Sequence, residues 1–350
     1  MRSVSIADHT TCGATGLFDL LSGVENHWPE WRGPNHDGVA LTEVPTEWSD
    51  TANIAWRVPI AGRGYSSPVI WGDKLFLTSA IAAEQPAAPA ADEQPGRRRG
   101  SSGGVGSGVE HKFVVLCLDR KTGKTLWERV ATTSKPHEGY HGRYGSFASN
   151  SPVTDGKYLY AFFGSRGLYT YDLEGKLIWK KEFSPMRMRL GFGEGVAPVV
   201  DGDKLFLKFD QEEKSHLVTL DRRTGKELWR VDRDEVSSWS QPLVVVHEGK
   251  KQLIVSASAK IRSYEPETGK IIWEAGVLER NVIPAPVIQN GIVYLMSGHR
   301  IRSCLRFVSD GRAILPGPMP SCGAQTGDCP TPQLRCCRTK SYTSSRTAAC

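Results

Sequence analysis

The stretch LDRRTGKELW, residues 220–229, decides the fold of this chain, because close copies of it return at regular intervals. The copies are LDRKTGKTLW (118–127), YDLEGKLIW (171–179) and YEPETGKIIW (264–273). Their tryptophans follow one another at intervals of 52, 50 and 44 residues, as Trp127, Trp179, Trp229 and Trp273. Repetition at this spacing is typical of a chain built from stacked copies of one small unit.

A second element keeps the same spacing and supplies the rest of the unit. It consists of a proline, an apolar run, a turn and another apolar run, as in NSPVTDGKYLYAF (150–162), VAPVVDGDKLFL (196–207) and PAPVIQNGIVYLM (284–296). Asp-Gly and Thr-Gly pairs supply the positive φ that hairpin turns require, so each unit is predicted to form four short strands. Four antiparallel strands every 44–52 residues are the period of a β-propeller blade. The large tryptophan side chain suits the space between neighbouring blades.

We therefore predict an all-β fold, a β-propeller of four-stranded antiparallel blades over residues 28–300. About five blades can be counted, four complete and a fifth with its first two strands. NIAWRVPI (53–60) is predicted to be a single fourth strand that completes a blade begun at the other end of the chain. The ring is thus expected to be incomplete or open, with unpaired strand edges. Residues 83–108, rich in Ala, Pro, Gly and Ser, are expected to be a disordered loop insertion in the first blade.

Both ends of the chain depart from the repeat. Residues 1–27 are expected to be unstructured or the remnant of a signal peptide, since Asp19 breaks their short apolar run. Residues 301–350 lack the tryptophan and the strand pattern and hold six of the eight cysteines, so an aberrant, disordered tail is predicted. A reading-frame shift near codon 300 is one hypothesis for this abrupt change, and a genuinely divergent tail is the other.

Charge and composition exclude several classes of protein. The net charge is +6, but the tail alone carries seven basic and two acidic residues, which leaves the body of the chain nearly neutral. Such a body has no electrostatic footprint for nucleic acid. No run reaches the roughly 18 apolar residues of a membrane-spanning helix. Cys12 and Cys117 are the only cysteines before the tail, too few for a disulfide scaffold.

The motif HEGYH, residues 137–141, has the spacing of a zinc-protease signature. That chemistry requires both histidines on one face of a helix. Pro136 precedes the motif and Gly139 lies inside it, so a loop is predicted and a metal site is not.

Loops that join one blade to the next are expected to meet at the mouth of the central channel, together with loops between second and third strands. Residues at these positions differ from blade to blade while the blade bodies repeat, so the mouth is predicted to hold a binding site. The candidates are Tyr65, His137, His141, Arg143, Asn150, Arg166, Glu194, Trp239 and Gln241, with His299 in the last such loop. The repeat aspartates are expected to cap turns at the opposite end of the blades, as Asp119, Asp172 and Asp221.

The Asp-x-x-Thr-Gly-Lys-x-x-Trp unit resembles the pyrroloquinoline-quinone (PQQ) repeat, which quinoprotein alcohol dehydrogenases share with the outer-membrane assembly lipoprotein BamB. WPEWRGPNHDGV (28–39) and GRGYSSPV (62–69) are similar to the start of bacterial PQQ-like propellers, many of which are exported. The resemblance runs from about Trp28 to Gly298. It implies a periplasmic or exported protein, although no convincing signal peptide is present.

The resemblance leaves two functions open, because the same blades serve enzymes and non-enzymes. The first is a non-catalytic scaffold, without a cofactor, that binds a protein or glycan partner in the cell envelope. The alternative is a PQQ- and calcium-dependent dehydrogenase of alcohols or sugars, in which Glu194 would be the calcium ligand and Trp239 the platform for the cofactor. Its catalytic aspartate cannot be placed, and the adjacent Cys336 and Cys337 lie in the aberrant tail.

Overall fold

The computed structural model of the chain describes residues 2–6, 27–40, 42, 44–83, 108–276, 278, 280–297, 304–308 and 313–314. The unit that carries the repeats extends over Met1–Ala313. Each repeat forms one antiparallel sheet whose strands lie side by side in chain order. The first strands of neighbouring sheets contact one another, as a radial arrangement of blades requires.

The first blade has five strands, because a short strand pairs with the inner edge of its repeat. Its strands are His27–Trp28, Val69–Trp71, Lys74–Ala82, His111–Asp119 and Thr125–Ser134. The second blade consists of Val153–Thr154, Tyr158–Phe162, Leu168–Asp172 and Leu177–Lys181. The third consists of Val199–Asp201, Lys204–Phe209, Ser215–Asp221 and Glu227–Arg233.

The fourth blade consists of Leu243–His247, Lys250–Ser256, Ile261–Tyr264 and Ile271–Ala275. The fifth consists of Val287–Gln289, Ile292–Met296, Cys304–Val308 and Ala313–Ile314. Two short 3₁₀ segments, Gly164–Arg166 and Arg189–Gly191, lie in loops. Within the described ranges, no helix is long and apolar enough to cross a membrane.

The predicted fold is confirmed: the structure is all-β, its units are four-stranded antiparallel blades, and no sheet closes a ring among the described residues. The strands of the fifth blade continue past residue 300 in the structure. Cys304–Val308 pairs with Ile292–Met296, with Leu305 opposite Leu295. In the sequence, Leu305 and Phe307 lie on either side of Arg306, an alternation typical of a short strand, even though the repeat's tryptophan is absent.

The N-terminal extension also contributes a strand that was not expected. Arg2–Ile6 pairs antiparallel with Trp56–Ile60, so the single fourth strand has a partner from the chain's beginning rather than its end. Side chains of Trp56–Ile60 cover one face of the first blade, where Trp56 packs with Leu75 and Leu116. Residues 7–26, 84–107 and 315–350 lie outside the described residues, and the expectation of disorder there stays a prediction.

The repeated tryptophans join each blade to the next. Trp127 Nε1 donates a hydrogen bond to the backbone oxygen of Leu173 at 3.0 Å. The same bond runs from Trp56 to Arg120, from Trp179 to Arg222 and from Trp229 to Pro266, at 2.8, 3.1 and 3.0 Å. Each acceptor lies in the turn before the last strand of the following blade. The repeated tryptophan and the repeated turn are therefore two halves of one joint.

The turn needs glycine because the indole lies directly against it. Gly225 has a φ of +71°, and a Cβ placed there would lie 2.6 Å from Trp179 Cε3. The same arrangement joins Gly123 to Trp56, Gly175 to Trp127 and Gly269 to Trp229. Both the positive φ and the lack of a side chain are therefore required at this position.

The repeat aspartate closes the turn, as predicted. Asp119 Oδ1 accepts hydrogen bonds from the Thr122 hydroxyl and backbone N–H, both at 2.7 Å, and from the Lys121 N–H at 3.1 Å. The bonds from Thr122 hold the pKa of Asp119 below its ordinary value. Asp221 makes the same bonds to Thr224, and Asp172 accepts from the N–H groups of Glu174 and Lys176.

Apolar side chains fill each layer between two blades. Phe113 of the first blade meets Phe163 of the second with ring centroids 5.4 Å apart, and Phe162 of the second meets Phe209 of the third at 5.8 Å. Between the fourth and fifth blades, Ile254 and Val293 belong to one buried cluster. The core is thus a series of separate layers, so stability depends on contacts between neighbours.

Replacing the turn glycine should test the joint between blades. We expect Gly202→Ala to lower the free energy of unfolding by about 1 kcal/mol, because Gly202 has a positive φ but nothing within 4 Å of a Cβ. Gly225→Ala should cost about 3 kcal/mol, since overpacking against Trp179 adds about 1–3 kcal/mol to the same backbone strain. Urea denaturation of both variants measures the difference. Equal losses would show that the indole contact contributes nothing.

Candidate binding site at the channel mouth

The loops that join successive blades surround a cavity of about 1310 Å³. This is larger than the roughly 300–1,000 Å³ of most small-molecule pockets. Contributions come from the loops before the second, third, fourth and fifth blades. Five of the nine predicted candidates line the cavity, namely Tyr65, His141, Glu194, Trp239 and Gln241.

The HEGYH segment is an irregular loop rather than a helix, as predicted. The His141 N–H donates to the Phe192 backbone oxygen at 2.9 Å, which ties this loop to the one before the third blade. The His141 ring stacks on Tyr144 with a centroid distance of 5.1 Å. Tyr65 donates its hydroxyl proton to the Arg143 backbone oxygen at 2.9 Å, while the Arg143 guanidinium lies over Tyr144.

Trp239 connects three of the loops around the cavity. Its Nε1 donates to the Gly193 backbone oxygen at 2.8 Å, and its backbone N–H donates to the Val282 oxygen at 2.7 Å. These bonds fix the indole between the loops that precede the third and fifth blades. The indole is held by the Gly193 oxygen and the backbone by the Val282 oxygen, so Trp239 has a fixed position in the cavity wall.

Two predicted candidates join blades instead of facing the large cavity freely. Asn150 is 2% exposed, does not line the large cavity, and donates from Nδ2 to the Val196 oxygen at 2.8 Å. Gln241 lines the cavity but also donates from Nε2 to the Pro198 oxygen at 3.3 Å. Both side chains satisfy a carbonyl of the neighbouring loop, which buried backbone groups require.

Glu194 lies at the centre of a compact polar group with Arg166 and His137. The Glu194 side chain is 6% exposed; its Oε1 accepts from the Ser165 hydroxyl at 2.6 Å and from Arg166 Nη1 at 3.0 Å. Its Oε2 accepts from the Ser165 N–H. Arg166 Nη2 also donates to His137 Nδ1 at 3.1 Å, and His137 Nε2 donates to the Met186 oxygen at 2.6 Å. Both ring nitrogens of His137 are therefore occupied, with the proton assigned to Nε2 by this network.

Ligand atoms of His137, Glu138 and Glu194 lie within 4.8 Å of one another, a spacing that a metal ion would permit. Calcium prefers six to eight oxygen ligands. Here the Arg166 guanidinium already supplies the positive charge, and both oxygens of Glu194 accept hydrogen bonds from the protein. The residues therefore do not fit the calcium ion that the dehydrogenase alternative requires at Glu194.

Beneath this group lies a buried network of charges on the third blade. Asp210 accepts from Arg233 Nε at 2.8 Å and from the Ser238 hydroxyl at 2.7 Å, and Ser238 in turn accepts from Lys208 Nζ at 2.7 Å. Burial lowers the pKa of Lys208 to about 8. Burial acts to raise the pKa of Asp210, but Arg233 and Lys208 outweigh it and lower that pKa. This second carboxylate is also paired with protein cations.

Glu138 is a partly buried carboxyl group close to Glu194. Burial raises its pKa to about 7, and the nearby Glu194 carboxylate acts in the same direction. The Met188 N–H, 3.1 Å from Glu138 Oε2, opposes this shift. Through Met188 the carboxyl group holds the start of the loop that carries Arg189 and Leu190.

Sequence reasoning missed several residues of the cavity. They share large apolar or cationic side chains in the loops before the third, fourth and fifth blades: Arg189, Leu190, Val236, Arg280 and Ile283. The available signal was the alternation of arginine and apolar residues in MRMRL (186–190), which is unusual for a connecting loop. His299, Cys336 and Cys337 lie outside the described residues.

The blades and their joints define a β-propeller built from PQQ-like repeats. The family model described as "Outer membrane protein assembly factor BamB" matches residues 111–304, more than half of the chain. The chain belongs to this family. No curated protein matches the sequence.

Several solved structures are similar to the chain, at low sequence identity and low TM-scores. BamB from Moraxella catarrhalis is 19% identical, with 71% of this chain and 73% of that chain covered and a TM-score of 0.39. A europium-containing methanol dehydrogenase is 12% identical, with 72% and 50% covered and a TM-score of 0.47. The quinohemoprotein alcohol dehydrogenase from Comamonas testosteroni is 13% identical, with 73% and 46% covered and a TM-score of 0.41. The chain thus spans about half the length of these dehydrogenases.

The competition between Arg166 and a metal can be tested by calorimetry. Wild-type protein should give no saturable heat with calcium chloride up to about 1 mM, the range of weak calcium modules. Arg166→Ala leaves the imidazole and two carboxylates without a cation, so this variant should bind Zn²⁺. Arg187→Ala, which removes an exposed guanidinium 3.8 Å from Glu213, is the control and should behave as wild type. Saturable calcium binding by the wild type would contradict the fit argument.

The raised pKa of Glu138 predicts a dependence of stability on pH. Folding favours the protonated carboxyl, so this group's contribution to stability falls as pH rises from its unfolded value of 4.5 to about 7. Glu138→Gln keeps an acceptor for Met188 and removes the buried charge. We expect it to stabilise the protein by about 1 kcal/mol at pH 8, after allowance for solvent screening, and by progressively less toward pH 4.5.

Urea denaturation at pH 5 and pH 8 measures this effect. Glu213→Gln removes a carboxyl that is mostly exposed, and it should show no such trend. A Glu138→Gln variant that is equally stable relative to wild type at both pH values would contradict the assignment.

Proposed function

We propose that this chain is a non-catalytic scaffold of the cell envelope that binds a protein partner at the mouth of its central channel. The observation that carries the proposal is a ring of large apolar side chains around the cavity. Its members are between 37% and 65% exposed: Trp31, Tyr144, Leu190, Val236 and Ile283. Large apolar side chains that stay exposed near one another are often part of an interaction site. We call these five residues the apolar ring.

Leu190 supports a functional origin for the apolar ring. Its φ is +52°, a left-handed conformation that costs a residue with a Cβ about 1–2 kcal/mol. The side chain is nevertheless 50% exposed, so the strained backbone gains little burial within the chain. Backbone strain that is not offset by burial of the side chain is often found at ligand-binding sites.

The family supports both the kind of partner and the location. Its description names an outer membrane protein assembly factor, which favours a protein partner and a place in the cell envelope. It offers no support for a glycan. The absence of an unpaired carboxylate among the described residues of the cavity favours binding over catalysis, since Glu194 is the carboxylate there and Arg166 neutralises it.

A PQQ-dependent dehydrogenase remains the second candidate. Trp239 and Glu194 line the same cavity, which is the arrangement that a cofactor platform and a calcium ligand would need. The ion pair between Glu194 and Arg166 weighs against it. Titration with PQQ and calcium, followed by quinone absorbance and dye-linked alcohol oxidation, separates the candidates, because saturable binding with turnover would contradict the scaffold.

Site-specific photo-crosslinking in cells that express the gene tests the scaffold directly. p-Benzoylphenylalanine at Ile283 or Tyr144, both in the apolar ring, should give a discrete covalent adduct with one envelope protein. The control position is Ile271, which is 51% exposed on the outer strand of the fourth blade. Equal adducts at all three positions, or none in the ring, would contradict the proposal.

A further inference from the structure

The charges inside the apolar ring are mainly positive. Glu194 is the carboxylate among the described lining residues, and its charge is balanced by Arg166 at 3.0 Å. Arg189 and Arg280 line the same cavity. Neither forms an ion pair with a carboxylate of the described residues. The cavity therefore carries a net positive charge.

The two arginines are placed beside the apolar ring rather than away from it. Arg189 is half-buried and precedes Leu190; its backbone N–H is held by the Ser237 hydroxyl at 2.9 Å. Arg280 is exposed and lies three residues before Ile283. A guanidinium that is partly removed from water without a carboxylate is costly, and an anionic ligand would relieve that cost.

Other arginines at the mouth add to the positive field but are already engaged. Arg63 donates to the Gly142 oxygen at 2.7 Å and lies over Tyr140. Arg143 lies over Tyr144 with its Cζ 5.1 Å from the ring centroid. These groups raise the local concentration of anionic ligands without being free to pair with them as Arg189 and Arg280 are.

Resting on the proposed function, we propose that the cavity binds an acidic segment of the partner protein that also carries aromatic or aliphatic side chains. Carboxylates of the segment pair with Arg189 and Arg280, while its apolar side chains pack on Leu190, Val236 and Ile283. The volume of about 1310 Å³ suits several residues of a peptide better than a single small molecule. Apolar contacts supply affinity, and the arginines select charge and orientation.

Fluorescence anisotropy with two defined peptides tests this preference. The first probe is labelled, amidated Asp-Trp-Glu-Phe-Asp-Leu-Glu, and the second has Asn and Gln in place of every Asp and Glu. The acidic peptide should bind at least about tenfold tighter, and its affinity should fall as salt is added. Equal affinities, or affinity independent of salt, would overturn the inference.

Charge reversal then locates the binding groups. The double variant Arg189→Glu, Arg280→Glu should lose the acidic peptide and gain a counterpart in which lysines replace the acidic residues. The matched control is Arg223→Glu, since Arg223 is exposed in a turn at the opposite end of the third blade. A double variant that keeps the acidic peptide would place binding elsewhere and overturn the inference.

Leu190→Gly provides a second test that does not change charge. Glycine adopts a positive φ without strain, so the variant should unfold at a higher temperature than wild type while it binds the acidic peptide several-fold more weakly. Unchanged binding would remove Leu190 from the site. If the ring cross-links to a partner but the acidic peptide is not preferred, the inference fails and the scaffold stands. If the peptide binds but no cross-link forms, the scaffold fails and the charge preference stands.

Discussion

The contact between an indole and the turn glycine of the next blade is the constraint on which the rest of this structure depends. Trp179 packs on Gly225 and donates to the oxygen of Arg222, so it holds two blades together at a single point. The joint recurs three more times among the described blades. Because tryptophan, aspartate and glycine must all return in each unit, the joint also sets the spacing of the repeat.

The contact between tryptophan and glycine also determines which loops can differ in length and sequence. The joints lie at one end of the blades, where the turns before each blade's last strand are short. At the other end, single polar side chains such as Asn150 and Gln241 connect neighbouring blades through one hydrogen bond each. Loops there differ in length and sequence without disturbing the stack, and they surround the large cavity.

This division explains how much the sequence could predict. Strand positions and the role of the aspartates followed from repetition, because one joint dictates them four times. The N-terminal strand Arg2–Ile6 and the strand Cys304–Val308 were missed because neither carries the repeat's markers. The ion pair between Arg166 and Glu194 could not be predicted because the two residues lie in loops of different blades. The positive φ of Leu190 could not be predicted either, because leucine rarely adopts that conformation. Asn150 was predicted as a binding candidate, and the structure places it in a buried hydrogen bond between blades, a role that uses the same polar chemistry.

The charges that the protein leaves unpaired at its channel mouth decide which kind of ligand can bind there. A calcium-dependent site must present carboxylates whose oxygens are available to the metal. In this chain Glu194 and Asp210 are saturated by Arg166, Arg233 and hydroxyl donors. The mouth instead presents the guanidinium groups of Arg189 and Arg280, which have no carboxylate partner among the described residues, together with exposed apolar side chains. Such a surface gains most from a ligand that brings both negative charge and apolar area, which is a property of protein segments rather than of metal ions.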